Sequence, residues 1–156
     1  MLKPLTQFIC DHCGHIIETP EKAYLEWENI NDKEGKSRAT NFKIVHHDAE
    51  TNTFCSVRPS TATLSLEKFT GPDGIGALLS FYDQGEFVEP VFSVPRALNL
   101  REFTDIFRRL TIPFYEEGRQ YLQFAFDDGF ISSNQYGIYR PEKLQAFIEK
   151  YSPAVQ

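Results

Sequence analysis

A chain of 156 residues with 41% apolar and 14% aromatic residues has the material for a buried core, so global disorder is not expected. Its net charge of −6 argues against a generic nucleic-acid binder, which presents a basic stripe to phosphates. The acidity is uneven: residues 1–95 carry eight Lys and Arg against fourteen Asp and Glu, and residues 96–156 carry eight of each. That excess suits solubility or the docking of a basic partner.

Phe8-Ile9-Cys10 predicts a short strand entering a Cys-x2-Cys-Gly turn, and Ile16-Ile17 leaves it on the other side. Ala23 to Glu28 alternates as a half-buried strand, Asn31 to Lys36 has the composition of a turn, and Asn41 to His47 alternates again. Residues 23–47 therefore predict a β-hairpin that returns His46 and His47 towards Cys10 and Cys13. Ser56 to Thr63 is polar and contains Pro59, and Leu64 to Phe69 predicts a short helical turn.

Gly71-Pro72-Asp73-Gly74 is a helix start, with Ile75, Leu78, Leu79 and Tyr82 following at helical spacing up to Gly85. Residues 86–97 read as a connector. Asn99-Leu100-Arg101-Glu102 is a capping box opening a helix with Phe103, Ile106, Phe107 and Leu110 on one face. Pro113 starts another helix, stopped by Asp127-Asp128-Gly129, with Phe114, Tyr121, Leu122 and Phe126 to bury. Pro141 starts the last, with Leu144, Phe147, Ile148 and Tyr151, and residues 130–140 between them suit a wing-like hairpin. The expected fold is α+β: a zinc-stapled β-hairpin module over residues 1–63 packed on a small helical subdomain over residues 64–156.

All three cysteines and all four histidines lie between Cys10 and Cys55. A Cys-x2-Cys pair on a Gly turn, with a distant His and Cys, is what a tetrahedral Cys3His zinc site requires. The expected ligands are Cys10, Cys13, Cys55 and one histidine, because adjacent strand residues point to opposite faces. If Ile44 faces the core, Val45 and His47 share the other face, which favours His47. His46 and His15 are the alternates, the latter through Cys-x2-Cys-x-His. Three thiolates and an imidazole fill the ion and lower its Lewis acidity, so the metal reads as structural. Three cysteines cannot all pair within one chain, the opening residues lack an apolar leader, and no stretch is long enough to span a bilayer. A cytoplasmic protein is expected.

The leading functional reading is a non-enzymatic, zinc-stabilised interaction module that binds another macromolecule, with a protein preferred to nucleic acid and no membrane. One alternative is a nucleic-acid-associated regulator reading through the helical half, where Arg101, Arg108, Arg109 and Arg119 are interleaved with Glu102, Asp105, Glu116 and Glu117. Helix-surface ion pairs account for that mixture more simply. The second alternative is a metal-dependent nuclease of HNH type, suggested by Cys-x2-Cys followed by Val45-His46-His47-Asp48, Asn52 and Cys55. Against it, only Cys55 follows Asn52, where such enzymes carry a further Cys-x2-Cys-His. No serine sits in a nucleophile elbow, and Gly71 to Gly76 lacks the Lys-Ser/Thr of a phosphate loop.

Several motifs recur in one order: Phe-x-Cys-x2-Cys-Gly from Phe8, the Glu26-Trp27 strand, Phe-x-Ile-Val-His-His from Phe42 and a following Cys55. Beyond them come Phe69 to Gly74, Ile112 to Glu117 and Asp128-Gly129. On these the chain resembles a family of uncharacterised bacterial proteins over nearly its full length. The resemblance implies a zinc-finger-like module and a helical C-terminal half, and no named activity.

Overall fold

Two short antiparallel strands, β1 (Phe8–Ile9) and β2 (Ile16–Ile17), form the knuckle that carries the Cys-x2-Cys turn. The computed structural model describes residues 1–55, 61–85, 94–132 and 137–153 and has the mixed α+β architecture expected. Next to the knuckle is a four-stranded antiparallel sheet of β3 (Ala23–Asn31), β4 (Ser37–Asp48), β5 (Thr53–Phe54) and β6 (Thr61–Ser65), in the order β5-β4-β3-β6. β6 was not legible as a strand. It is a polar edge with Leu64 largely exposed, so it lacks the alternating apolar face that marks a buried strand. The helical turn expected from Leu64 is confined to a 3-10 turn over Leu66–Phe69.

The β3–β4 pairing slips by one residue at Trp27. Glu26 faces Lys43 and Glu28 faces Thr40, so Asn41 and Phe42 together oppose a single residue. Asn41 takes the left-handed conformation, φ 57°, that a bulge of this kind needs and that Asn tolerates better than most residues. The irregularity leaves the Phe42 amide for a long-range partner, and the Glu102 carboxylate accepts its N–H at 2.8 Å.

Glu102 belongs to α2 (Leu100–Thr111), which follows α1 (Gly71–Leu79) in the chain. The expected cap is half realised. The Asn99 side chain accepts from the Arg101 and Glu102 amides, but Glu102 reaches to β4 instead of turning back. Between α1 and α2, Ala39 bridges Ala97 in parallel, and Leu98 donates to the Ala39 carbonyl at 2.8 Å. Residues 56–60, including Pro59, and 86–93 of the expected connector lie outside the described residues, as do residues 133–136 of the wing-like hairpin.

Leu25 and Trp27 of β3, Phe42 and Ile44 of β4, Leu66, Phe69, Leu78 and Phe81, and Phe103, Ile106 and Leu110 of α2 are buried in one cluster with Phe8, Cys10 and Ile17 of the knuckle. Trp27 packs edge-on against Phe69 and Phe81, and Phe81 packs on Phe42 and Phe103. This core runs through the division expected at residue 63. A second cluster, Tyr115, Ala125, Ile131, Leu144 and Phe147, begins after α2.

The helix expected from Pro113 to Asp127 is broken into α3 (Tyr115–Gly118), a 3-10 turn over Arg119–Tyr121 and α4 (Leu122–Asp127). The break follows Gly118, which weakens helix by about 1 kcal/mol relative to Ala. Its missing side chain admits Leu144 of α5 (Pro141–Tyr151). Of the α1 residues at helical spacing, Leu78 is buried, and Ile75 and Leu79 are 42% and 48% exposed. Among the described residues no helix is long and apolar enough to cross a membrane.

Candidate metal centre

The knuckle is closed by two backbone bonds. The Cys10 amide donates to the His15 carbonyl and the Gly14 amide to the Cys10 carbonyl, each at 2.9 Å. Gly14 adopts φ 74°, a left-handed conformation that glycine reaches without strain. Burial works to raise the Cys10 thiol, but backbone groups of Cys13, His12 and His46 and the His46 ring outweigh it and lower the thiol to about 7. Burial, reinforced by the neighbouring Cys13 and Cys10, pushes the Cys55 thiol up to about 12. Sulfurs packed this closely cannot all ionise without a compensating positive charge, which a metal cation would supply.

The ligand atoms of Cys10, Cys13, His46 and Cys55 all lie within 4.8 Å of one another. His46 Nδ1 is 3.4 Å from Cys13 Sγ and 3.8 Å from Cys55 Sγ. Its other ring nitrogen lies 3.2 Å from the Ile16 carbonyl oxygen. With the ring proton on Nε2 donated to that carbonyl, Nδ1 presents its lone pair to the sulfurs. The structure thus brings together the three expected cysteines and a group that could hold a metal ion.

The histidine in the group is the alternate, His46, and His47 is turned away. β5 decides this. His47 pairs with Phe54, so Cys55 falls opposite His46, and its amide donates to the His46 carbonyl at 3.0 Å. Residues directly opposite in antiparallel strands project to the same face, so Cys55 selects His46. His47 lies on the other face, stacked on Tyr24 with ring centroids 3.8 Å apart and edge-on to Phe54 at 5.0 Å. His15, the other alternate, is exposed and outside the group. The expected parity argument assigned the site to the face opposite Ile44, whereas the knuckle closes over the face that Ile44 shares with His46.

A buried ionic cluster ties this centre to the helices. Arg109 of α2 is 2% exposed. Its Nε and Nη2 donate to both Glu116 oxygens at 2.6 and 2.9 Å, Nη1 donates to Asp11 at 2.7 and 2.9 Å, and Nη2 also donates to the Ile9 carbonyl at 3.0 Å. Glu116 accepts the Ile9 amide at 2.8 Å, and Asp11 accepts the Ile44 amide at 2.7 Å. Burial disfavours the Arg109 charge, but Glu116 and Asp11 outweigh it and raise the guanidinium above its ordinary value. Arg119 adds longer contacts to Asp11, Glu116 and Asp105. Arg109 and Glu116 are therefore not a helix-surface pair. The available signal was positional: Arg109 stands three residues after Ile106, inside the apolar stripe of α2.

Fold and site together define a mixed α+β protein whose Cys3His cluster sits where the knuckle meets β4 and the end of β5. Comparison with protein-family models, with curated proteins and with solved structures found no match for this chain.

Proposed function

We propose that the chain is a non-enzymatic, zinc-stapled interaction module that acts inside the cell by binding a protein partner. The supporting observation is the closeness of four soft ligand atoms from three separate segments. Zinc at tetrahedral distances holds sulfur and nitrogen atoms about 3.5 to 3.8 Å apart, and His46 Nδ1 lies 3.4 and 3.8 Å from two of the sulfurs. With four protein donors the ion has no open position for water or substrate, which separates this set from a catalytic zinc and speaks against the HNH reading.

A protein partner is preferred because large apolar side chains stand at the surface, among them Phe54 at 52% and Phe124 at 62% exposure. Elemental analysis of protein purified without chelator, followed by cross-linking capture from the host, tests the proposal. It expects about one zinc per chain and a reproducible protein adduct. Metal-free protein with three titratable thiols, or an adduct composed only of nucleic acid, refutes it.

A further inference from the structure

The acids interleaved with the arginines of the helical half are committed to groups other than Arg101 and Arg108. Glu102 is bound to the Phe42 amide and the Thr40 hydroxyl, Asp105 to the Tyr115 hydroxyl and Arg119, Glu116 to Arg109 and the Ile9 amide, and Glu117 to the Leu2 amide. Two arginines of α2 take no carboxylate, Arg108 meeting the Tyr115 hydroxyl instead. Among the described residues neither Arg101 nor Arg108 has a carboxylate within ion-pair distance, although the chain as a whole is acidic.

Arg101, Thr104 and Arg108 follow one another at three- and four-residue spacing, so they form a single stripe on the helix. With Leu100 and Tyr139 they line an open groove of about 570 Å³. Its geometry is held from both sides. The Arg108 guanidinium lies over the Tyr139 ring, 4.0 Å from its centroid, and the Tyr82 hydroxyl meets Thr104 Oγ1 at 2.5 Å. Leu100 is half exposed beside them and offers apolar contact.

We infer that this groove binds an acidic segment of the protein partner, an inference that rests on the interaction-module reading above. The two charges are seven residues apart, about 10 Å along the helix axis, which suits an extended chain carrying two or more carboxylates better than one compact anion. The groove is also open, whereas small-ligand sites bury most of their ligand. Nucleic acid is the less favoured occupant: two phosphate contacts release too few counterions to give appreciable affinity.

Fluorescence anisotropy with a labelled Glu-rich peptide, its Gln counterpart and a labelled oligothymidylate, each titrated with full-length zinc-loaded protein, tests the inference. The Glu-rich peptide is expected to bind, to weaken with added salt, and to lose about two- to fivefold in affinity for each of Arg101→Ala and Arg108→Ala. The Gln peptide should not bind, and Arg140→Ala, outside the groove, should change nothing. Melting temperatures matching the parent exclude unfolding as the cause. No binding of the Glu-rich peptide at about millimolar concentration, or undiminished binding by an Arg101→Glu/Arg108→Glu variant, overturns the assignment. A protein adduct captured equally by the parent and that variant removes the groove and leaves the module reading standing. Tighter binding of the oligonucleotide, lost in the variant, overturns both.

Discussion

Replacing Arg109 by alanine removes a cation that donates to two carboxylates and a carbonyl in the seam between knuckle and helices. Glu116, whose side chain is 6% exposed, would keep only the Ile9 amide at 2.8 Å and the more distant Arg119 at 3.7 Å. Asp11, 21% exposed, would keep the Ile44 amide and Arg119 at 3.8 Å. Removing one partner from a buried ion pair costs about 3–5 kcal/mol, because the remaining charge is left in a poorly solvated site. A domain is stable by only about 5–15 kcal/mol, so Arg109→Ala should lose a large share of the total. Urea unfolding followed by fluorescence of the single tryptophan, Trp27, 4% exposed in the aromatic core, measures the effect. The expected result is a lower midpoint at unchanged slope. Arg109→Lys should fall between, since an ammonium lacks the planar fork that serves Glu116 and Asp11 together. Arg109→Met combined with Glu116→Leu should recover part of the loss. A loss below about 1 kcal/mol in Arg109→Ala, the range of an exposed pair, would refute the argument that this cluster clamps the knuckle to the helices.

His46→Ala should lower zinc content and thermal stability, while His47→Ala should retain about one zinc per chain; elemental analysis showing the reverse would restore His47 as the ligand. Cys13→Ser should lower the melting temperature yet leave far-ultraviolet circular dichroism largely intact. The reason is that β3 and β4 are held by Leu25, Trp27, Phe42 and Ile44, so metal loss should loosen the knuckle and not melt the long hairpin. In α1, Gly76→Ala has open space and should stabilise by about 0.5–1 kcal/mol. Gly74→Ala would place its Cβ 2.2 Å from the Phe69 carbonyl carbon and should destabilise, and denaturation midpoints moving the same way would contradict this packing. Burial, with the Asp105 carboxylate accepting its hydroxyl at 2.6 Å, raises the Tyr115 phenol well above the usual tyrosine range. The folded state then holds a proton that the unfolded chain releases near pH 10. Stability from this group is whole below that pH and falls above it, and Tyr115→Phe should flatten that alkaline decline.

Much of the local structure was legible in the residues themselves. The Cys-x2-Cys-Gly knuckle, the long hairpin, the Asn99 cap and the starts at Pro72 and Pro141 each depend on turn chemistry or side-chain period within a few positions. The three cysteines of the centre were legible too, because tetrahedral metal chemistry restricts which residue types at which spacings can converge. The choice of histidine was not. It depends on the pairing of Phe54 with His47, which sets Cys55 opposite His46, and a one-residue change of register reverses every side chain in a strand. Nor does a charge reveal its own destination. Arg109 finds Asp11 ninety-eight positions away, and Glu102 crosses sixty positions to the bulged amide of Phe42. Sequence spacing paired these groups with helical neighbours, whereas burial of the α2 stripe and the slip at Trp27 created unmet hydrogen bonds that only remote side chains could fill. The same tertiary contacts decided which arginines remained for the surface, and so where a partner could be held.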